Sequence, residues 1–225
     1  MDIFKGISLK ILAMEYLLKI HLESRGKVVL VQIANPARSR GRDVEDVQVE
    51  THSMSKIISE TFGQPGYQLV LLIEIHVPFY ERIAFYTIAK CFLVNAVKDG
   101  MNLTTYEYIA SMQGSTEQDQ TLGLIPNTPK KSMLLVSEFN GRSQSLSGAI
   151  GVNPWNIDVV VEAMNTTISM SEAKSLLIHD KHYMYVSTHE QITKILSKQY
   201  NIYVHQIYTI TINNAVSNFF LFSKN

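Results

Sequence analysis

Apolar positions fall into two alternating patterns along the chain. Short continuous runs occupy residues 27–34 (KVVLVQIA), 69–73 (LVLLI), 91–97 (CFLVNAV) and 132–136 (SMLLV). Runs of that length without polar alternation predict strands covered on both faces. Between them the spacing is helical. Leu9, Leu12, Ala13, Tyr16 and Leu17 follow the turn residues Lys5-Gly6, and similar patterns predict helices over residues 44–59, 79–89, 103–112 and 156–170. Turn chemistry separates the elements at Asn35-Pro36, Gly63-Gln64-Pro65-Gly66, Asp99-Gly100 and Asn153-Pro154-Trp155. A polar connection over residues 113–131 contains Gly123, Pro126 and Pro129. Strands alternating with helices predict an α/β fold built on a doubly wound parallel sheet with right-handed crossovers, of Rossmann-like type. Residues 190–225 form a different region: from Ile192 onward Lys194, Lys198 and Lys224 carry its only charges, and it fits neither template. The expected organisation is a unit over residues 1–189 and a divergent tail over residues 190–225.

Composition supports a globular chain. Of 225 residues 46% are hydrophobic and 18% charged, and 20 Lys+Arg balance 20 Asp+Glu. A formal net charge of zero gives no electrostatic footprint for nucleic acid or for an anionic membrane surface, so neither is expected as a partner. Cys91 is the sole cysteine, which leaves no disulfide framework or cysteine metal cluster and fits a reducing, cytoplasmic setting. No stretch approaches the ~20 apolar residues of a spanning helix, and residues 1–10 lack the pattern of a secretory leader. The acceptor patterns at Asn102 and Asn165 read as chance matches.

In an open parallel sheet, ligands gather outside the carboxyl ends of the strands. The loop of residues 98–103 is such a place, because a helix starting near Asn102 or Leu103 aims free N–H groups and a positive dipole end above it. Diphosphate suits that environment. Glu107, about one turn farther on, is close enough to accept hydrogen bonds from sugar or ribose hydroxyls. The spacing equally allows an ordinary turn, with Asp99 as a cap and Glu107 on a solvated face. Lys5 before Gly6 is either a phosphate-binding lysine or a solvated one. His179 and His182 are three apart, a spacing that a metal pair on one helix face would require, but no third ligand stands nearby, and a capping or surface role is expected. Arg38, Arg40 and Arg42 read as a solvated basic loop, and Cys91 as a buried packing residue.

Together the motifs resemble the trehalose-6-phosphate synthase family, retaining glycosyltransferases of the two-Rossmann-domain type, and in particular its plant bifunctional-like members. The resemblance runs from MDIFKG at Met1 through GKVVLVQIANPARSRGRDV, YERIAFYTIAKCFLVNAVKDGMNLTTYEYI and LVSEFNGRSQSLSGAIGVNPWNID to HYMYVSTH ending at His189. DGMNL followed by EY is the most specific of these.

The resemblance implies transfer of glucose from UDP-glucose to glucose-6-phosphate, with no metal or other cofactor. It implies that Lys5 contacts the donor diphosphate and Asp99 holds hydroxyls of the glucose. The backbone of Gly100, Met101, Asn102 and Leu103 would cradle glucose and phosphate, and Glu107 would grip the uridine ribose. UDP-glucose and other trehalose-phosphate synthase subunits are the implied partners. The family's first Rossmann domain, with the acceptor site, has no counterpart here, nor has the arginine that active members place shortly before the lysine. Asn95, Lys98 and Ile75 stand where a threonine and two arginines are usual. The expected activity is therefore that of a donor-binding half, with a non-catalytic regulatory or sugar-nucleotide-binding module, or a non-functional fragment, as alternatives.

Overall fold

A computed structural model describes residues 3–36, 41–100, 102–113, 120, 125, 131–141 and 145–189. The divergent tail, Met101, Arg38 and Arg40 lie outside the described residues.

A 3-10 turn, Ile3–Lys5, leads through Gly6 into α1 (Ile7–Ile20). Gly6 sits in the left-handed region at φ 61°, and a Cβ there would stand 2.1 Å from the carbonyl oxygen of Asn95. Both the backbone conformation and the close approach require glycine. Then follow β1 (Leu30–Ile33), α2 (Arg42–Phe62), β2 (Val70–Ile73), α3 (Phe79–Ile88), β3 (Phe92–Val94) and α4 (Thr104–Gln113). β4 (Leu134–Ser137), β5 (Ile150–Val152), α5 (Ile157–Ser169) and α6 (Glu172–Thr188) complete the order.

Among the described residues all strand pairs are parallel. β1 pairs with β2, Leu30 opposite Val70 through Ile33 opposite Ile73. β4 lies between β3 and β5, with Phe92 opposite Leu134 and Val136 opposite Gly151. The α/β class and the helix-covered parallel strands are as expected, but the strands hydrogen-bond as a two-stranded and a three-stranded group. Among the described residues no strand joins the second edges of β1 and β3. Past the end of β3, the Val97 N–H donates to the Phe4 carbonyl at 2.9 Å, so the turn before α1 continues along that edge.

One hydrophobic core nevertheless unites the two groups. Ile7, Ile11, Met14 and Leu18 make a three-and-four-residue stripe on α1, which packs with Ile58, Leu69 and Val70 and also with Leu135, Val152, Val160 and Val161. Each such side chain contributes about 1.5–3 kcal/mol through burial. On the other face of the helix Lys19 pairs with Glu15 at 2.6 Å. A second cluster joins Tyr86, Tyr106, Tyr108, Ile109 and Met112 to Leu134, Val136 and Val186. Its ring of Phe92 stacks on Tyr108 at 5.0 Å, and Tyr86 meets Phe92 edge-on at 5.3 Å.

The observed strands are shorter than the apolar runs, because residues such as Val28 and Cys91 pack against the core without joining a ladder. Only β4 is buried at every position; β1 and β2 are half-covered, in contrast to the expectation of strands buried throughout. β5 and α6 were not evident in the sequence. β5 has three residues, one of them Gly151, and the buried stripe of α6 consists of Ser175, His179, His182 and Val186, which hydrophobicity does not mark.

Candidate functional site at the carboxyl ends of β3 and β4

The chain leaves β3 through Asn95, Ala96, Val97 and Lys98 to reach Asp99. Gly6 rests on the Asn95 carbonyl and Phe4 is tied to Val97, so Lys5 is carried to the same place. The Lys5 ammonium donates to Asp99 Oδ2 at 2.7 Å, a pair between residues 94 apart in sequence. Asn102 Nδ2 donates to the same oxygen at 2.9 Å. Asp99 is thus held by a lysine and an amide.

Asn102, not Asp99, caps α4. Its Oδ1 accepts from the Thr104 N–H at 3.0 Å, and its carbonyl accepts from Thr105 Oγ1 at 2.9 Å. Leu103 offers its carbonyl to the N–H groups of Tyr106 and Glu107. Asp99 and Gly100 are latched to the turn after β4: the Asp99 N–H donates to the Phe139 carbonyl at 3.3 Å, and the Gly141 N–H to the Gly100 carbonyl at 3.0 Å. A Cβ on Gly141 would stand 3.1 Å from the Gly100 oxygen, which keeps that latch tight. Phe139, Asn140 and Gly141 were not singled out in the sequence, where nothing marked the EFNG turn as a neighbour of Asp99.

Glu107 does not lie on a solvated face. It is 4% exposed, on the side of α4 that meets α3. Arg82 Nη2 stands 3.5 Å from Glu107 Oε2, and Tyr86 hydrogen-bonds the carboxylate as well. Burial pushes the Glu107 carboxyl above its ordinary range, and the Arg82 charge and the Tyr86 hydroxyl pull it back. Sequence reasoning missed both partners; their signal was the four-residue spacing that puts Arg82 and Tyr86 on one face of α3.

A second cation lies behind Lys5. Lys10, one turn into α1, bonds Gln32 Oε1 at 3.0 Å, and burial together with the neighbouring Lys5 ammonium lowers its pKa to about 8. Ile75 is exposed after β2, and Arg42 opens α2 in solvent. Cys91 is half-buried, and burial raises its thiol to about 12, so it is no nucleophile.

The expected surface or capping role of the two histidines does not hold. His179 is buried between Ser132 Oγ, 2.7 Å from Nδ1, and Gln113 Oε1, 3.1 Å from Nε2. His182 is fully buried, and neither ring nitrogen has a partner. Burial, and then His179 beside it, lowers the His182 pKa to about 4. Among the described residues no group of three His, Cys, Asp or Glu side chains could hold a metal, and no helix is long and apolar enough to cross a membrane.

Known proteins resemble this chain in sequence and in fold. Alpha,alpha-trehalose-phosphate synthase (UDP-forming) 5 of Arabidopsis thaliana is 62% identical over 190 residues, covering 84% of this chain and 22% of that protein. The 56 kDa subunit of the Saccharomyces cerevisiae synthase is 38% identical over 192 residues, covering 83% of this chain and 35% of that protein. The chain therefore spans less than a quarter of the plant relative. An alpha,alpha-trehalose-phosphate synthase from Burkholderia xenovorans, solved with glucose-6-phosphate, matches with a TM-score of 0.70 at 28% identity, over 82% of this chain and 37% of that one. A structure from E. coli bound with UDP-2-fluoro glucose shares the fold at a TM-score of 0.71 and 24% identity, over 93% of this chain and 42% of that one. The model of glycosyltransferase family 20 matches residues 1–198, and the chain belongs to that family.

Proposed function

We propose that residues 1–189 form the donor-binding side of a retaining glucosyltransferase that moves glucose from UDP-glucose to glucose-6-phosphate. The observation that carries this reading is the meeting of Lys5 with Asp99 at the carboxyl ends of parallel strands, beside the start of α4. Lys5, with Lys10 behind it, supplies positive charge for a diphosphate. Asp99 is an acceptor for glucose hydroxyls, the backbone from Gly100 through Met101 and Asn102 to Leu103 lines glucose and phosphate, and Glu107 accepts from the ribose. As the bond from glucose C1 to the diphosphate oxygen breaks, negative charge grows on UDP. A lysine and the amino end of α4 stabilise that charge. Donor binding exchanges the Lys5–Asp99 contact for contacts of each residue with the ligand.

The names of the relatives, UDP-forming and subunit, support UDP as the product and other synthase subunits as partners. A cytoplasmic setting accords with the single cysteine. A second reading is a sugar-nucleotide-binding module without turnover, in line with Asn95, Lys98 and Ile75 standing where the resemblance puts a threonine and two arginines.

Calorimetric titration of UDP and UDP-glucose into the purified chain tests the proposal. Asp99→Ala and Glu107→Ala should each weaken binding roughly 5- to 150-fold, equivalent to about 1–3 kcal/mol. Undiminished affinity in both variants would remove the site assignment. Turnover with glucose-6-phosphate separates enzyme from module.

A further inference from the structure

We infer that Arg82 and Tyr86 of α3 are positioning residues that set the preference of Glu107 for a ligand with vicinal hydroxyls, and so for a ribonucleotide over its 2′-deoxy counterpart. The inference rests on the donor-site reading of Glu107 and adds what makes that carboxylate able to discriminate.

A carboxylate in water can swing and share its lone pairs with solvent. Glu107 can do neither, because its side chain is 6% exposed against the flank of α3. Arg82 Nη2, 3.5 Å from Oε2, and the Tyr86 hydroxyl occupy part of its accepting capacity and fix the plane of the group. A carboxylate has about four lone-pair sites on two oxygens, so acceptor capacity remains for two neighbouring hydroxyls. Two such bonds to a fixed plane distinguish a vicinal diol from a single hydroxyl, whereas a rotating carboxylate re-forms one bond and loses the distinction. Charge matters too. Burial pushes this carboxyl toward its protonated form, which offers a donor along with its acceptor, and the Arg82 charge opposes that shift. Arg82 is itself anchored: its guanidinium lies over the Phe79 ring at 5.4 Å, and its buried Nε has no partner, so packing on α3 fixes it more than a hydrogen-bond network does. Phe79, Arg82 and Tyr86 follow one another at three and four residues along α3 and make one continuous support.

The test titrates UDP and 2′-deoxy-UDP separately into the full chain and into Arg82→Ala, Arg82→Lys and Tyr86→Phe. The wild-type protein should favour UDP by about tenfold or more, as expected for one to two lost hydrogen bonds to a charged group. Arg82→Ala should weaken UDP about tenfold and leave 2′-deoxy-UDP within about threefold, so that the preference collapses toward unity. Arg82→Lys should recover most of the preference, and Tyr86→Phe should lose about threefold of it. General damage to the fold weakens both ligands equally and leaves their ratio unchanged. An Arg82→Ala protein that keeps the wild-type ratio overturns the inference, as does a wild-type protein that binds both nucleotides equally. If Arg82→Ala does not fold, Tyr86→Phe decides alone by the same ratio. A wild-type chain that binds no UDP fails at the donor-site reading, which the other outcomes leave standing.

Discussion

Two ion pairs flank the start of α4, and they differ in kind. Lys5 and Asp99 meet at 2.7 Å with side chains 40% and 14% exposed, whereas Arg82 and Glu107 stand at 3.5 Å with 21% and 6%. The shorter contact is the more exchangeable one. Water competes for Lys5, so the pair contributes little to stability, and on the proposed reading it parts when the donor binds. In the longer contact Glu107 has almost no solvent to replace a lost partner, so removing Arg82 leaves a buried charge. Burial, more than distance, separates a pair poised to open from one that holds its carboxylate in place.

The largest effect should come from the backbone beneath the first pair. Gly6→Ala puts a methyl group against the Asn95 carbonyl and an L-residue at φ 61°. It should cost about 3 kcal/mol in chemical denaturation, since the turn must move off β3. Glu107→Ala, which orphans Arg82 in its half-buried site, should cost about 2 kcal/mol, below the range for fully buried pairs because Arg82 keeps some water. Equal, small costs for Glu107→Ala and Asp99→Ala would erase the contrast between the pairs.

Acid provides a third comparison, through His182 on α6, which packs against α4. Its folded pKa of about 4 lies below the ordinary 6.5, so it is neutral in the fold while the unfolded chain takes up a proton. Stability is unaffected by this group above pH 6.5 and falls as pH drops from 6.5 toward 4, by up to about 1.4 kcal/mol per unit. Glu107 acts in the opposite sense, since its raised pKa favours the fold in acid. Thermal melts of His182→Gln should therefore show a shallower acid slope than the wild type between pH 6.5 and 5. The smallest effect is that of Lys5→Ala on stability, under about 1 kcal/mol by the same denaturation assay.

Helices α1 to α5 were legible because each carries its own period. α1 begins at Ile7, close to the expected start, and α3 and α4 match their patterns within a residue or two. The loop of residues 98–103 was legible as a place for chemistry because an Asp-Gly break followed an apolar run. What local pattern cannot supply is a contact across the fold. Nothing near Asp99 in sequence announces Lys5, and only the family resemblance joined them before the structure brought them to 2.7 Å. The solvated-face alternative for Glu107 failed because the polar residue faces another polar pair, Arg82 and Tyr86, across a helix interface. The two histidines of α6 mislead for the same reason: a stripe of Ser and His reads as surface, and here it is buried. The split of the strands into two hydrogen-bonded groups could not be read at all, since apolar runs specify burial and not neighbours.

The central claim is that the elements around Lys5, Asp99 and Glu107 make one site. Mapping backbone amide shifts in the isotope-labelled chain during titration with UDP tests it most directly. The account predicts saturable shifts concentrated at Gly6, Gly100, Leu103, Glu107 and Gly141. Saturable shifts confined instead to the groove that Leu12, Tyr16 and Trp155 line between α1 and the β5–α5 turn would contradict it.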